Sequence, residues 1–110
     1  MFDVTVADLI DANIEVGESG SVINQHSLAS SLASVSYYDT PLEQMASVVR
    51  SIMQNHPFVD GNKRTGVYLL RSSVTSLGLT FKRSESECIV FAVKSVTERW
   101  TVEQIVNWVL

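Results

Sequence analysis

His-Pro-Phe-Val-Asp-Gly-Asn-Lys-Arg-Thr-Gly, residues 56–66, sets a histidine, a carboxylate, a carboxamide, a lysine and an arginine around one glycine. Upstream, Leu42, Met45, Val49, Ile52, Met53 and His56 fall at spacings of three and four, the apolar stripe of a helix. Thr40 is a good N-cap for that helix, Pro41 suits its first position, and Glu43 completes a Thr-x-x-Glu capping box. Pro57 disfavours helical geometry at His56, and Gly61 permits a positive φ, so the chain turns here. From Asn62 a further helix runs to about Leu77, with Val67, Leu70, Val74 and Leu77 as its core stripe and Gly78 as its stop. The stretch therefore reads as helix, tight loop, helix, and the stripe predicts that His56 leaves the first of these helices on its buried side.

Outward from this pair the chain also reads as helical. Residues 5–14 suit a first helix, stopped by EVGESGS with Gly17 and Gly20, and residues 24–36 suit a second, with Leu28, Leu32 and Val35 in register. Ser84 with Glu87, and Thr101 with Gln104, form capping boxes ahead of two C-terminal helices. Helix is preferred there because of the caps, although Ile89, Val90, Phe91 and Val93 also favour a strand. LTFKR, residues 79–83, can form a short extended segment. The expected fold is all-α, a compact bundle of about six helices.

With 110 residues, 45% hydrophobic and 18% charged, the chain fits one soluble domain spanning 1–110. Cys88 is the one cysteine, which excludes an internal disulfide and suits a small buried residue in a reducing compartment. No membrane span or basic-flanked leader is visible, so a cytoplasmic location is expected. A net charge of −4 argues against nucleic acid as a general partner. All eight Lys and Arg lie from Arg50 onward, whereas residues 1–49 hold seven acids and no base. Any phosphate site therefore belongs to the second half of the chain.

A helix N-terminus presents unpaired N–H groups and about half a positive charge, so a helix beginning at Asn62 can cradle an anion. Gly61 allows close approach to its main chain, and Lys63 and Arg64 add two cations. Asp60 opposes a bare phosphate, but Mg²⁺ commonly bridges carboxylate and phosphate oxygens, so Asp60 is either a metal ligand or a cap for the next helix. His56 is either a packed core residue or a general base able to take a proton from a hydroxyl. Asn62 orients the loop, binds phosphate or caps the helix. Beside a held triphosphate these groups suit phosphoryl or nucleotidyl transfer.

At these residues the chain resembles the Fic/Doc family, whose signature His-x-Phe-x-(Asp or Glu)-(Gly or Ala)-Asn-(Lys or Gly)-Arg joins two helices of a compact helical core. His56, Phe58, Asp60, Gly61, Asn62 and Arg64 occupy the signature positions. The resemblance extends loosely from DANI, through LASSLAS, to about Arg83, leaving residues 84–110 outside it. It implies ATP and Mg²⁺, with His56 as catalytic base, Lys63 and Arg64 acting on the transferred group, Gly61, Asn62, Lys63 and Arg64 holding phosphate, Asp60 on the metal, and Phe58 anchoring the loop. Classical Fic proteins, which transfer AMP to hydroxyl side chains, carry a glycine and a second arginine where this chain has Lys63 and Val67. NKRT is instead similar to Doc, a toxin of a toxin–antitoxin pair that phosphorylates a threonine of elongation factor Tu. Pro57 and Gly61 remain Fic-like.

The resemblance thus implies a Doc-like protein phosphotransferase acting on a Ser or Thr hydroxyl of a host protein. AMP transfer is the alternative, and a silent Fic-like binding module or a purely structural helical domain are the competing classes. It also places Tyr37 and Tyr38 at the flap that aligns a target peptide. The self-inhibitory string Ser/Thr-x-x-x-Glu-Gly/Asn of many Fic proteins is absent, so an antitoxin acting in trans is the expected regulator.

Overall fold

A computed structural model describes residues 3–110. Six α-helices make up the fold: α1 (Val6–Glu15), α2 (Gln25–Ala33), α3 (Pro41–Asn55), α4 (Asn62–Ser76), α5 (Glu85–Thr97) and α6 (Val102–Val109), with a 3₁₀ turn at Ser34–Tyr37. The fold is all-α, and the described residues hold a single isolated antiparallel bridge, Val22 with Phe58, and no strand. LTFKR forms an irregular connection instead, from which Phe81 packs edge-on against Trp108 at a centroid distance of 6.2 Å.

Local chemistry explains where the helices begin. Thr5, Asn24, Thr40, Ser84 and Thr101 each accept a hydrogen bond from the backbone N–H three residues on. The boxes at Ser84/Glu87 and Thr101/Gln104 are reciprocal, whereas the Thr40 hydroxyl bonds the Glu43 carboxylate directly, at 2.8 Å. Thr5 and Asp8 form a further box, with Asp standing where the usual pattern has Glu or Gln. The Ser84 N–H, then the Arg83 side chain, hold the Glu87 carboxyl below its ordinary range.

Helix α3 runs through the centre. It buries Leu42, Met45, Ala46, Ser47, Val48, Val49, Ile52 and Met53 and packs against α2, α4, α5 and α6. On α4, Leu69, Leu70 and Val74 are buried and Val67 partly so, while Leu77, the C-cap, lies 42% exposed. The C-terminal pair is helical, as its caps indicate; α5 buries Cys88, Phe91, Ala92 and Ser95 and leaves Ile89, Val90 and Val93 exposed. Phe91 stacks on Trp108 at 4.0 Å, Arg83 donates to the Trp108 carbonyl, and Arg50 donates to the Trp100 carbonyl at 2.7 Å, which ties the C-terminal elements to α3.

The α3–α4 contact fixes the geometry of the loop between the two helices. Gly66 faces Met53 so closely that a Cβ there would stand 2.5 Å from Met53 Cγ and 2.6 Å from its Sδ. Gly66→Val would therefore force the helices apart, and overpacking of this kind costs about 1–3 kcal/mol. We expect a lower midpoint in urea unfolding with an unchanged slope; unchanged stability would mean that the helices do not approach this closely.

Candidate active site

The start of α4 is built from its own sequence. Gly61 occupies the N-cap position at φ 72°, ψ 19°, and no side chain among the described residues caps the helix. Thr65 N–H to the Gly61 carbonyl, 2.8 Å, is its first turn-closing bond, so the N–H groups of the first turn stay available. Asp60 does not cap the helix: its Oδ1 accepts from the Gly61 N–H at 2.8 Å, ahead of the first helical residue. Asn62 is buried and orients the loop. Its Oδ1 accepts from the Phe58 N–H and its Nδ2 donates to the Phe58 carbonyl, both at 3.0 Å. Phe58 itself is fully buried and anchors the loop.

Asn13, buried on α1, braces the same loop. Its Nδ2 donates to the Asp60 carbonyl and to Thr65 Oγ1, both at 3.0 Å, and its Oδ1 accepts from the Gly20 N–H at 2.9 Å. One carboxamide thus joins α1, the glycine turn and the start of α4. The sequence contained this residue within DANI, but nothing in local spacing marks it as a bracket.

His56 departs from the expected position. Extending the apolar stripe of α3 predicts a buried imidazole, yet His56 is exposed, because it ends the helix in the left-handed region at φ 51°, ψ 59°. Helical periodicity stops where the backbone leaves helical geometry, and Pro57 disfavours a right-handed helical conformation at His56. A non-glycine residue held there costs on the order of 1–3 kcal/mol. The packed-core reading of His56 is thereby overturned. His56, Asp60, Gly61, Asn62, Lys63 and Arg64 all line one cleft of about 390 Å³, together with Ile23, Phe58 and Val59.

Residues 21–24 flank this cleft. Val59 N–H donates to the Ser21 carbonyl, and Ile23 N–H to the Pro57 carbonyl, on either side of the Val22–Phe58 bridge. Tyr37 and Tyr38 do not form this wall. Tyr37 projects 84% exposed from the 3₁₀ turn and Tyr38 packs against the core, neither of them lining the cleft. The family resemblance had pointed to them, whereas the segment beside the cleft is residues 21–24, which follow the glycine turn.

Glu18 is the residue that the sequence left unmarked. Its carboxylate pairs with the Arg64 guanidinium, whose Nη1 also donates to the Val16 carbonyl at 3.1 Å. The Glu18 stem crosses Gly61, where a Cβ would meet Glu18 Cγ at 2.5 Å. A carboxylate therefore rests over the cradle, although the chain lacks the self-inhibitory string.

The model of the Fic/DOC family matches residues 6–72, more than half of the chain, and the chain belongs to this family, whose members are typically transferases. Among curated protein sequences, none matches it. No described helix is long and apolar enough to cross a membrane.

The Arg64 side chain is 61% exposed, so its pairing with Glu18 contributes at most about 1 kcal/mol. A charge-assisted bond to a phosphate oxygen contributes about 1.5–3 kcal/mol, more than the pairing with Glu18 that it would replace. Glu18→Ala should tighten inorganic triphosphate binding, measured by calorimetry, by a few-fold and by less than about tenfold. Weaker binding in that variant would mean that Glu18 builds the cradle rather than covering it.

Proposed function

We propose that this chain is a Doc-like protein Ser/Thr phosphotransferase that uses ATP and Mg²⁺ to modify a hydroxyl on a host protein such as a translation elongation factor. It would act as the toxin of a toxin–antitoxin pair, restrained by an antitoxin in trans. The observation that carries this reading is the shared cleft: an exposed imidazole opens onto the same space as an uncapped helix start flanked by Lys63 and Arg64.

In this reading the first-turn N–H groups of α4, with Lys63 and Arg64, hold the γ-phosphate and stabilise the charge that develops on it. His56 takes the proton of the acceptor hydroxyl as its oxygen bonds to the γ-phosphorus, while the bond to the β–γ bridging oxygen breaks and ADP leaves. Asp60 would hold Mg²⁺ through its second carboxylate oxygen, because Oδ1 is engaged by the Gly61 N–H. Bound there, Mg²⁺ would supply charge neutralisation. A lone carboxylate is compatible with that ion's habits, and no group of three or more metal-ligating side chains occurs among the described residues.

The acceptor segment docks on residues 21–24. In the pairing with residues 57–59 the bridging bonds flank Val22, so the N–H and C=O of Val22 face away from Phe58. An extended substrate segment adds to that edge, with exposed Ile23 and Val59 beside it. Val67, standing where AMP-transferring relatives carry a second arginine, is uncharged and lines a neighbouring groove rather than the cleft. That favours γ-phosphoryl transfer, whereas Pro57 and Gly61 favour AMP transfer.

Incubation with cell lysate and ATP labelled separately at the α and γ positions tests this. The expected result is protein labelling from γ-labelled ATP alone, reduced at least about 100-fold in His56→Ala. Labelling from the α position would replace the kinase reading with the AMP reading. Nucleotide binding without any transfer would favour a silent binding module.

A further inference from the structure

A second concavity, a groove of about 440 Å³ between α4 and α5, shares Lys63 and Arg64 with the cleft. Its apolar lining includes Val67, Cys88 and Ala92, with Tyr68 beside them. Along α4, Arg71 lies eight residues past Lys63, about 12 Å further at 1.5 Å per residue. The chain then returns through Phe81, over whose ring the Arg71 guanidinium sits at 5.0 Å, to Glu85 at the start of α5. Arg71 and Glu85 therefore mark the end of the groove remote from Lys63 and Arg64, and both line it. Among the described residues Arg71 has no carboxylate partner, and its stack on Phe81 holds it in place.

We propose that Arg71 and Glu85 determine nucleobase specificity, reading the edge of a purine laid along this groove and accepting guanine as well as adenine. This rests on the proposed function's reading of the α4 start as the triphosphate cradle. An apolar slot with cations at one end and a donor–acceptor pair at the other fits a flat, amphiphilic anion. Arg71 offers only donors, and Glu85 only acceptors. Guanine presents N1–H and N2–H to the carboxylate and O6 and N7 to the guanidinium; adenine presents N6–H to the first and a ring nitrogen to the second. Either purine thus leaves no polar group of the pair unmatched, so the pair does not separate ATP from GTP. A pyrimidine's single ring covers less of the apolar lining, loses stacking area and reaches less far from the phosphates.

Calorimetric titration of ATP, GTP, UTP and inorganic triphosphate, each with Mg²⁺, into the wild type, Arg71→Ala and Glu85→Ala tests the assignment. ATP and GTP should bind within about tenfold of one another and UTP about tenfold or more weaker. Either substitution should weaken both purine nucleotides about tenfold, leave triphosphate within about twofold, and narrow the preference over UTP. Both side chains are exposed and neither belongs to the Ser84/Glu87 box, so the fold should persist, with circular dichroism as the check. Should a variant fail to fold, the wild-type purine-to-pyrimidine ratio remains decisive. Equal affinity for UTP and ATP, rejection of GTP, or purine affinities unchanged in both variants overturns this proposal while leaving the cradle standing. If triphosphate itself fails to bind, the cradle falls and this inference with it.

Discussion

Both polar atoms of the Asn62 side chain are engaged by the main chain of Phe58, and the site depends on that closure. A carboxamide that donates and accepts on one residue acts like a strand partner for the loop, holding Phe58 in the core and the backbone in a fixed turn. Because both groups are buried, breaking either bond would leave an unsatisfied polar atom, a penalty of about 1–3 kcal/mol. The loop therefore has one arrangement, and Gly61 to Arg64 present their main chain in that arrangement.

Asn13 and Gly66 extend the constraint outward. Asn13 fastens the Asp60 carbonyl and Thr65 to α1, and the absence of a side chain at Gly66 lets α4 lie against Met53. Between these fixed points His56 is carried out of the core by its left-handed backbone and opens onto the helix start. A residue in such geometry at the mouth of a cleft, within a loop bonded to Asn62, Asn13 and Ser21, is held there by its surroundings against a local cost. Glu18 then sits over Gly61 through an ion pair with the largely exposed Arg64, worth at most about 1 kcal/mol.

The features legible in the sequence are those with local causes. Thr40, Ser84 and Thr101 set helix starts through bonds three residues long, and the apolar stripes of α3 and α4 named most of the apolar residues that those two helices bury. The signature itself identified the loop, because its residues are contiguous. What escaped had causes distant along the chain or followed a break in periodicity. The stripe of α3 was extended one residue too far, to His56, where a left-handed backbone no longer steps around the helix. Leu77 was counted into a core that α4 leaves before its end. Glu18 meets Arg64 across the fold, and Asn13 meets Thr65 likewise, contacts that no local spacing encodes. Tyr37 and Tyr38 were assigned by the family resemblance, whereas the Val22–Phe58 bridge brings the segment after the glycine turn to the site.

The uncapped start of α4, held by Asn62 beside His56, is where an anion is expected to bind. Backbone amide NMR shifts recorded while inorganic triphosphate and Mg²⁺ are added test it most directly. The largest changes should fall on the amides of Asn62, Lys63 and Arg64, with the His56 imidazole responding alongside them and Glu18 shifting as Arg64 is taken over. Saturable binding that moves amides elsewhere while those of the α4 start stay still would contradict the account.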